Sequence, residues 1–273
     1  MAYLELDDGQ MFYESQGKGE PILILRGLGR SSRYWMGFDQ DLAQYFNVIT
    51  VDFRSIGRST AKFRWGDSIT SLADDLYVLM RHLNLESWHV FGLSLGGMVS
   101  MEFASKYPEH CRSLFVANSS SGDYLGMRVS PVALIKVGVA ALKGQIHEEL
   151  IRLVTTPMIS TNQGGDISKE WAEIRQEEGF PLTTIGKQLL AASRFRIKGK
   201  INPHKVPLMF LVGSQDNFVP PYNTRRLHQV VPGSQFKKIR SVGHEISIGD
   251  QGELLSIIKG FIEKVSVSPS TSL

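Results

Sequence analysis

The sequence predicts an α/β protein with a mostly parallel, eight-stranded twisted sheet, helices on both faces of the sheet, and a helical lid inserted after strand six. Short apolar runs alternate with helical segments along most of the chain, and three of the runs, 22–25, 114–117 and 208–212, are apolar at every residue. Strands of that kind are covered on both faces, as in parallel sheets. The eight predicted strands lie at 3–6, 11–14, 22–25, 48–51, 88–91, 114–117, 208–212 and 236–239.

Helices are predicted between most of these strands. An amphipathic helix at 69–83 precedes the fifth strand, and a helix from Ser94 or Leu95 to Lys106 follows it. The first two strands are instead separated by the turn Asp8-Gly9, which predicts an antiparallel hairpin. Further helices are predicted at 34–45, 222–230 and 251–264.

The alternation of strand and helix stops after Ala117 and resumes at Leu208. From 122 to 200 the sequence reads as several helices without a strand, and we expect a helical lid there. The α/β core then comprises residues 1–121 and 201–265. Residues 266–273 are rich in serine, threonine and proline, a composition that predicts a flexible tail.

The composition limits the classes of partner. Hydrophobic residues make up 42% of the chain and charged residues 21%, as in ordinary globular proteins. The net charge of +3 argues against nucleic-acid binding.

The longest apolar stretch, 132–142, is interrupted by Lys136 and is shorter than the roughly 20 residues that a membrane span needs. The acidic start differs from a signal peptide, and the single cysteine, Cys111, allows no intramolecular disulfide. We expect a soluble, cytoplasmic protein; the sequence leaves its oligomeric state open.

The segment Gly92-Leu93-Ser94-Leu95-Gly96 matches the G-x-S-x-G pattern of a nucleophile elbow. Such an elbow is a sharp turn between a strand and a helix that exposes a serine hydroxyl. A predicted strand leads into this segment and a predicted helix leaves it, which favours Ser94 as a catalytic nucleophile. The alternative is a serine that only caps a helix.

A serine hydroxyl needs a base to remove its proton. Of the seven histidines, His244 alone lies in a glycine-containing loop between the last strand and the last helix. Asp216 follows the seventh strand and is the expected carboxylate that orients this histidine, with Asp123 as the competing acid. All three loops leave the sheet at one edge, where active sites of parallel sheets assemble.

The negative charge that develops on a substrate carbonyl oxygen requires fixed N–H donors. The backbone N–H of Leu95 is one expected donor. The second is expected from the loop after the third strand, where Gly27 and Gly29 flank Leu28, and we assign it to the N–H of Leu28. A plain turn is the alternative reading of these two glycines.

These residues resemble the α/β-hydrolase superfamily, and the resemblance extends over residues 3–264. The segment 52–59 is similar to the D-x-R-G-x-G-x-S turn of the family, and 92–98 is similar to its G-x-S-x-G-G variant. The length of the lid and the segment 117–120 are similar to 3-oxoadipate enol-lactonases and related small esterases. The resemblance implies a serine hydrolase with Ser94, Asp216 and His244 as its catalytic residues.

The chain departs from the family pattern at two positions. Ser55 stands where glycine is usual, and Arg26 stands where the family usually has histidine. Arg26 suggests a cation near the floor of the pocket and hence a substrate that carries a carboxylate. The alternative is an arginine paired with an internal acid. Further candidates for the pocket wall are the aromatic side chains of Trp35, Trp171, Phe180 and Phe195, which equally fit a lid core.

The sequence therefore predicts an enzyme that hydrolyses a small carboxylic ester or lactone through an acyl-enzyme, with no cofactor and no metal. Ser94 argues against dehalogenases and epoxide hydrolases of this fold, which use aspartate at the elbow. A carbon–carbon bond hydrolase, a lyase, a cofactor-free oxygenase or a perhydrolase would use the same three residues. A small-molecule receptor built on the same fold is a further alternative.

Overall fold

The fold is described from a computed structural model, and the structure describes residues 2–123, 129–143, 146–155, 164–249 and 251–267. Eight strands form one sheet. The strands are β1 (Ala2–Leu6), β2 (Gly9–Gln16), β3 (Pro21–Leu25), β4 (Asn47–Val51), β5 (Trp88–Leu93), β6 (Cys111–Ala117), β7 (Leu208–Gly213) and β8 (Gln235–Ile239). Their spatial order is β1-β2-β4-β3-β5-β6-β7-β8.

The sheet confirms the predicted fold class. β1 and β2 form the expected antiparallel hairpin, and β2 also pairs antiparallel with β4. All other neighbouring strands are parallel. Each predicted strand lies within an observed one, and the three wholly apolar runs, 22–25, 114–117 and 208–212, are buried at every residue.

Nine helices lie within the described part of the chain. They are α1 (Phe38–Ala43), α2 (Ile69–His82), α3 (Leu95–Lys106), α4 (Pro131–Leu142), α5 (Ile146–Val154), α6 (Gly164–Glu178), α7 (Leu182–Arg194), α8 (Pro221–Val230) and α9 (Gln251–Val267). Local signals set several of their ends. The Ser68 hydroxyl accepts a hydrogen bond from the N–H of Ser71 and caps α2, and Pro221 opens α8.

The continuous helix predicted at 34–45 is wrong. The structure has a short 3₁₀ helix at Ser32–Trp35 and then α1. Met36 and Gly37 separate them with positive φ angles of 56° and 86°. Two successive left-handed residues cannot continue a right-handed helix.

Helices α4 to α7 occupy the segment between β6 and β7, and no strand lies in the described part of that segment. Whether the segment acts as a lid stays a prediction. The flexible tail expected from residue 266 begins too early, since α9 continues to Val267. The remainder of that tail lies outside the described residues.

The sheet separates two hydrophobic cores. Leu23 and Leu25 of β3 pack in the core that includes α2 and α3. Ile22 and Ile24 point to the opposite face, where α1 and α9 pack. Cys111, at the start of β6, is buried and has a free thiol. None of the described helices is both long and apolar enough to cross a membrane.

The start of α3 lies against the end of β3, and we expect Gly96 to be required there. A Cβ atom at Gly96 would lie 2.4 Å from the carbonyl oxygen of Leu25. Gly96→Ala should therefore lower the free energy of unfolding by about 1–3 kcal/mol, measured by denaturant titration. Gly260→Ala in α9 is the matched control, because no neighbouring described element approaches that site, and it should raise stability by about 0.5–1 kcal/mol. Equal effects of the two variants would contradict this assignment.

Candidate active site

Ser94 occupies the turn between β5 and α3 in a strained conformation. Its φ of 57° and ψ of −112° are rare for a residue with a side chain. Glycine is needed on both sides of this turn. A Cβ atom at Gly92 would lie 2.3 Å from the carbonyl oxygen of Gly96, and the close approach of Gly96 to β3 was described above. The turn therefore holds the Ser94 hydroxyl at the carboxyl edge of the sheet.

The loop that follows β3, from Arg26 to Arg30, lies against Ser94; we call it the β3 loop. A Cβ atom at Gly27 would lie 3.3 Å from Cβ of Ser94. The next residue, Leu28, lines a cavity together with Ser94 and Leu95. Within the described residues, neither the backbone N–H of Leu28 nor that of Leu95 donates a hydrogen bond. Both donors are available to a ligand beside the serine.

His244 and Asp216 form a buried hydrogen-bonded pair. The Nδ1–H of His244 donates to Oδ2 of Asp216 over 2.8 Å. The other carboxylate oxygen of Asp216 accepts hydrogen bonds from the backbone N–H groups of Phe218 and Val219, at 2.9 and 2.8 Å. These bonds fix the carboxylate, which in turn fixes one tautomer and one orientation of the imidazole.

The neighbours of His244 also set its proton affinity. Burial of the imidazole lowers the pKa of His244, but the charge of Asp216 and its hydrogen bond act in the opposite direction, and the charge of Glu245 adds to them. The net result is a pKa above the ordinary value for histidine. The arrangement favours the imidazolium that forms when a histidine takes a proton from a serine.

A cavity of about 490 Å³ is lined by both Ser94 and His244. A second cavity of about 310 Å³ also reaches Ser94 and shares Leu28 with the first. Ser94 thus lies between two spaces. In this structure no hydrogen bond joins the side chains of Ser94 and His244, both of which are described. Such bonds often tighten only when a substrate binds.

Asp123, the competing acid in the sequence, serves a different purpose. Its carboxylate accepts hydrogen bonds from the Ser121 hydroxyl and from the backbone N–H groups of Ile197 and Lys198. It joins the end of β6 to the chain beyond α7. The structure brings Asp216, and not Asp123, to His244.

The structure brings only one of the predicted pocket side chains to the wall of the cavity. Phe180 lines the larger cavity, as expected. Trp35 and Trp171 are completely buried, Phe195 belongs to the core on the side of α2 and α3, and none of the three is among the residues that line either cavity. Aromatic content in the sequence does not reveal which face of an element such residues occupy.

Arg26 does not supply a cation to the pocket floor. Its side chain is 1% exposed and donates a hydrogen bond of 2.7 Å to the carboxylate of Glu245. Arg26 is therefore paired with an internal acid, which was the alternative interpretation of the sequence. The charged residues beside His244 that line the cavity are instead Arg30 and Glu245, which the sequence analysis did not single out. Two sequence positions could have identified them: Arg30 lies in the β3 loop, and Glu245 directly follows His244.

Within the described ranges, no group of three or more histidine, cysteine, aspartate or glutamate side chains is arranged to hold a metal ion.

Comparison with known proteins agrees with this architecture. The sequence profile of the α/β-hydrolase fold matches residues 20–134. The protein named "Putative carbamate hydrolase RutD" from Yersinia enterocolitica is 25% identical over 261 residues, which cover 92% of each chain. A thermophilic esterase from Thermogutta terrifontis superposes with a TM-score of 0.76 and 26% identity, covering 94% of each chain.

An enol-lactonase from Burkholderia xenovorans LB400 has the same fold, with a TM-score of 0.78, 19% identity, and coverage of 96% of this chain and 100% of the other. Together the profile, the sheet order and these similarities show that the chain has the α/β-hydrolase fold, and they support its membership of the α/β-hydrolase superfamily. It is a hydrolase of the α/β fold.

The pKa of His244 can be measured directly. An NMR titration, with the resonance assigned by its loss in His244→Gln, should give a pKa above about 6.5 in the wild type. Asp216→Asn should lower it, because the carboxylate charge is lost while burial stays. Since folding raises this pKa, its contribution to stability is complete below the ordinary value and is lost as the pH rises through the folded-state value.

Asp123→Asn is the control for this titration, because Asp123 does not contact His244. It should leave the titration of His244 unchanged. A wild-type pKa in the Asp216→Asn protein would contradict the assignment of Asp216 as the partner of the histidine.

Proposed function

We propose that the protein is a serine hydrolase that cleaves a small carboxylic ester or lactone through an acyl-enzyme. One observation carries the proposal: a buried histidine held by Asp216 lines the same cavity as a serine in a strained turn. Strain of this kind persists where the surrounding structure enforces it, commonly at active sites.

In the first half of the reaction, Nε2 of His244 removes the proton from Oγ of Ser94 as this oxygen attacks the substrate carbonyl carbon. The carbonyl oxygen becomes negative and accepts hydrogen bonds from the N–H groups of Leu28 and Leu95. The imidazolium then gives its proton to the leaving oxygen, and the bond between carbonyl carbon and leaving group breaks. Asp216 keeps its negative charge and stabilises the imidazolium.

In the second half, His244 removes a proton from a water molecule, and the resulting hydroxide attacks the acyl carbon. The proton returns to Oγ of Ser94 and the carboxylic acid is released. The two cavities that meet at Ser94 suit this sequence of steps, because one can hold the acyl part and the other the leaving group. In a lactone the two parts stay covalently connected, so the substrate would bridge both spaces.

A carbamate is the second candidate substrate. The RutD relatives, at 25% identity, favour it, whereas the Thermogutta esterase at 26% identity favours an ester. The same residues serve both, since Ser94 would attack a carbamate carbonyl in the same way. The difference lies in the leaving group and therefore in the shape of the cavity.

The nucleophile is tested with a fluorophosphonate probe and a panel of p-nitrophenyl esters, small lactones and carbamates. The wild type should be labelled on Ser94 and should turn over at least one class of the panel. Ser94→Ala should abolish labelling and lower kcat by at least about 10⁴-fold, as expected when a nucleophile of this type is removed.

Ser15→Ala is the matched control, because this serine lies on β2 and its hydroxyl bonds to Asn47, away from the cavity. It should keep both labelling and turnover. Full labelling of the Ser94→Ala protein would rule out Ser94 as the nucleophile. A wild type that hydrolyses nothing in the panel would contradict the proposed function.

A further inference from the structure

We propose that Glu245 is a positioning residue that holds the predicted oxyanion donor and the predicted base at a fixed separation. It does so by an ion-pair network with Arg26 and Arg30, which we call the Arg-Glu-Arg cluster. The role rests on the proposed function, because it assumes that Leu28 and His244 act on the same substrate.

The cluster connects two loops that are far apart in the sequence. One oxygen of the Glu245 carboxylate accepts a hydrogen bond from Arg26 at 2.7 Å, and the other lies 3.5 Å from Nε of Arg30. Arg26 and Glu245 are separated by 219 residues. The contact thus ties the β3 loop to the loop after β8, which carries His244.

The two arginines are themselves held in place by aromatic rings. The guanidinium of Arg26 lies 4.6 Å from the ring centroid of Trp35. That of Arg30 lies 3.9 Å from the ring centroid of Trp171 and 4.6 Å from that of Tyr34. Contacts of this type orient a guanidinium plane and stabilise its charge. Each member of the cluster therefore has a restricted position.

The residues of the cluster lie close in the chain to the predicted oxyanion donor and to the predicted base. Arg26 and Arg30 lie two residues before and two residues after Leu28, which lines a cavity together with Ser94. Glu245 is the next residue after His244 in the chain. The cluster therefore spans the two groups whose separation must match one substrate carbonyl and its attacking oxygen, and a displacement of about 1 Å at such a site can cost 10²-fold in rate.

Stability alone gives a poor account of this cluster. The exposed fractions of the three side chains are 1% for Arg26, 15% for Arg30 and 4% for Glu245. Removing such charges from water costs about as much as their attraction returns. Within the described residues, Nε and Nη1 of Arg26 are also buried without a hydrogen-bond partner, which adds to the cost. A role in geometry explains why three charges are held where apolar side chains would pack.

The test compares Glu245→Gln with Glu245→Asp. Glu245→Gln should lower kcat roughly 10- to 100-fold while KM changes by less than about threefold, because the lost geometry matters in the transition state. It should weaken binding of an alkyl boronic acid, a mimic of the tetrahedral intermediate, by a similar factor. Glu245→Asp keeps the charge and should recover part of the loss.

Two additional readouts separate positioning from folding. Hydrogen exchange measured by mass spectrometry should rise in both 26–30 and 242–246 in Glu245→Gln, whether or not a substrate is known. The double variant Arg26→Met with Glu245→Gln removes two buried charges together, so it should fold and still show the low kcat. Asp75→Asn is the matched control: Asp75 forms a partly buried ion pair with Arg54 away from both loops, and its loss should leave kcat unchanged.

The outcomes are distinct. Normal kcat, normal boronate affinity and unchanged exchange in folded Glu245→Gln would overturn the positioning role. Loss of activity without increased exchange in the β3 loop would also overturn it. A wild type without turnover of any ester, lactone or carbamate contradicts the proposed function instead, and the exchange measurement then decides whether Glu245 connects the two loops.

Discussion

The site depends on one steric constraint, the direct contact of the first turn of α3 with the ends of β3 and β5. Glycine at positions 92 and 96 permits backbone to approach backbone at distances that no side chain tolerates. Because the helix begins so close to the sheet, Ser94 is forced to a positive φ, and a Cβ atom at Gly27 of the β3 loop would lie only 3.3 Å from Cβ of Ser94. Ser94, the predicted nucleophile, and the β3 loop, which carries the predicted oxyanion donor Leu28, are therefore placed by one packing arrangement.

The second requirement is that separate loops meet at a single edge of the sheet. Parallel strands deliver their carboxyl ends to the same side, so residues distant in the chain converge without any long connection. Polar contacts then fix what the sheet brings together: backbone N–H groups hold the Asp216 carboxylate, and Asp216 holds His244. Buried polar groups that are hydrogen-bonded in this way hold one geometry.

Much of the fold could be predicted from the sequence, because fully apolar runs identify buried strands and the elbow pattern identifies the turn that carries Ser94. The pairing of Asp216 with His244 was predicted from chain order and loop position, and the structure places the two side chains in contact. The left-handed conformation of Met36 was not predictable, because a methionine carries no signal for it, whereas Gly37 beside it was an available signal for the break. Nor was the partner of Arg26, because an ion pair formed across the fold has no local pattern.

The thiol of Cys111, the one cysteine in the chain, can be used to detect local opening of the sheet. It begins β6, an interior strand of the sheet, and burial raises the pKa of its thiol far above that of a free cysteine. A thiolate-seeking reagent can therefore modify the protein only when the start of β6 opens. The chain has one cysteine, so the modification proceeds as a single event. Its rate measures how often this end of the sheet opens under native conditions, without any engineered label.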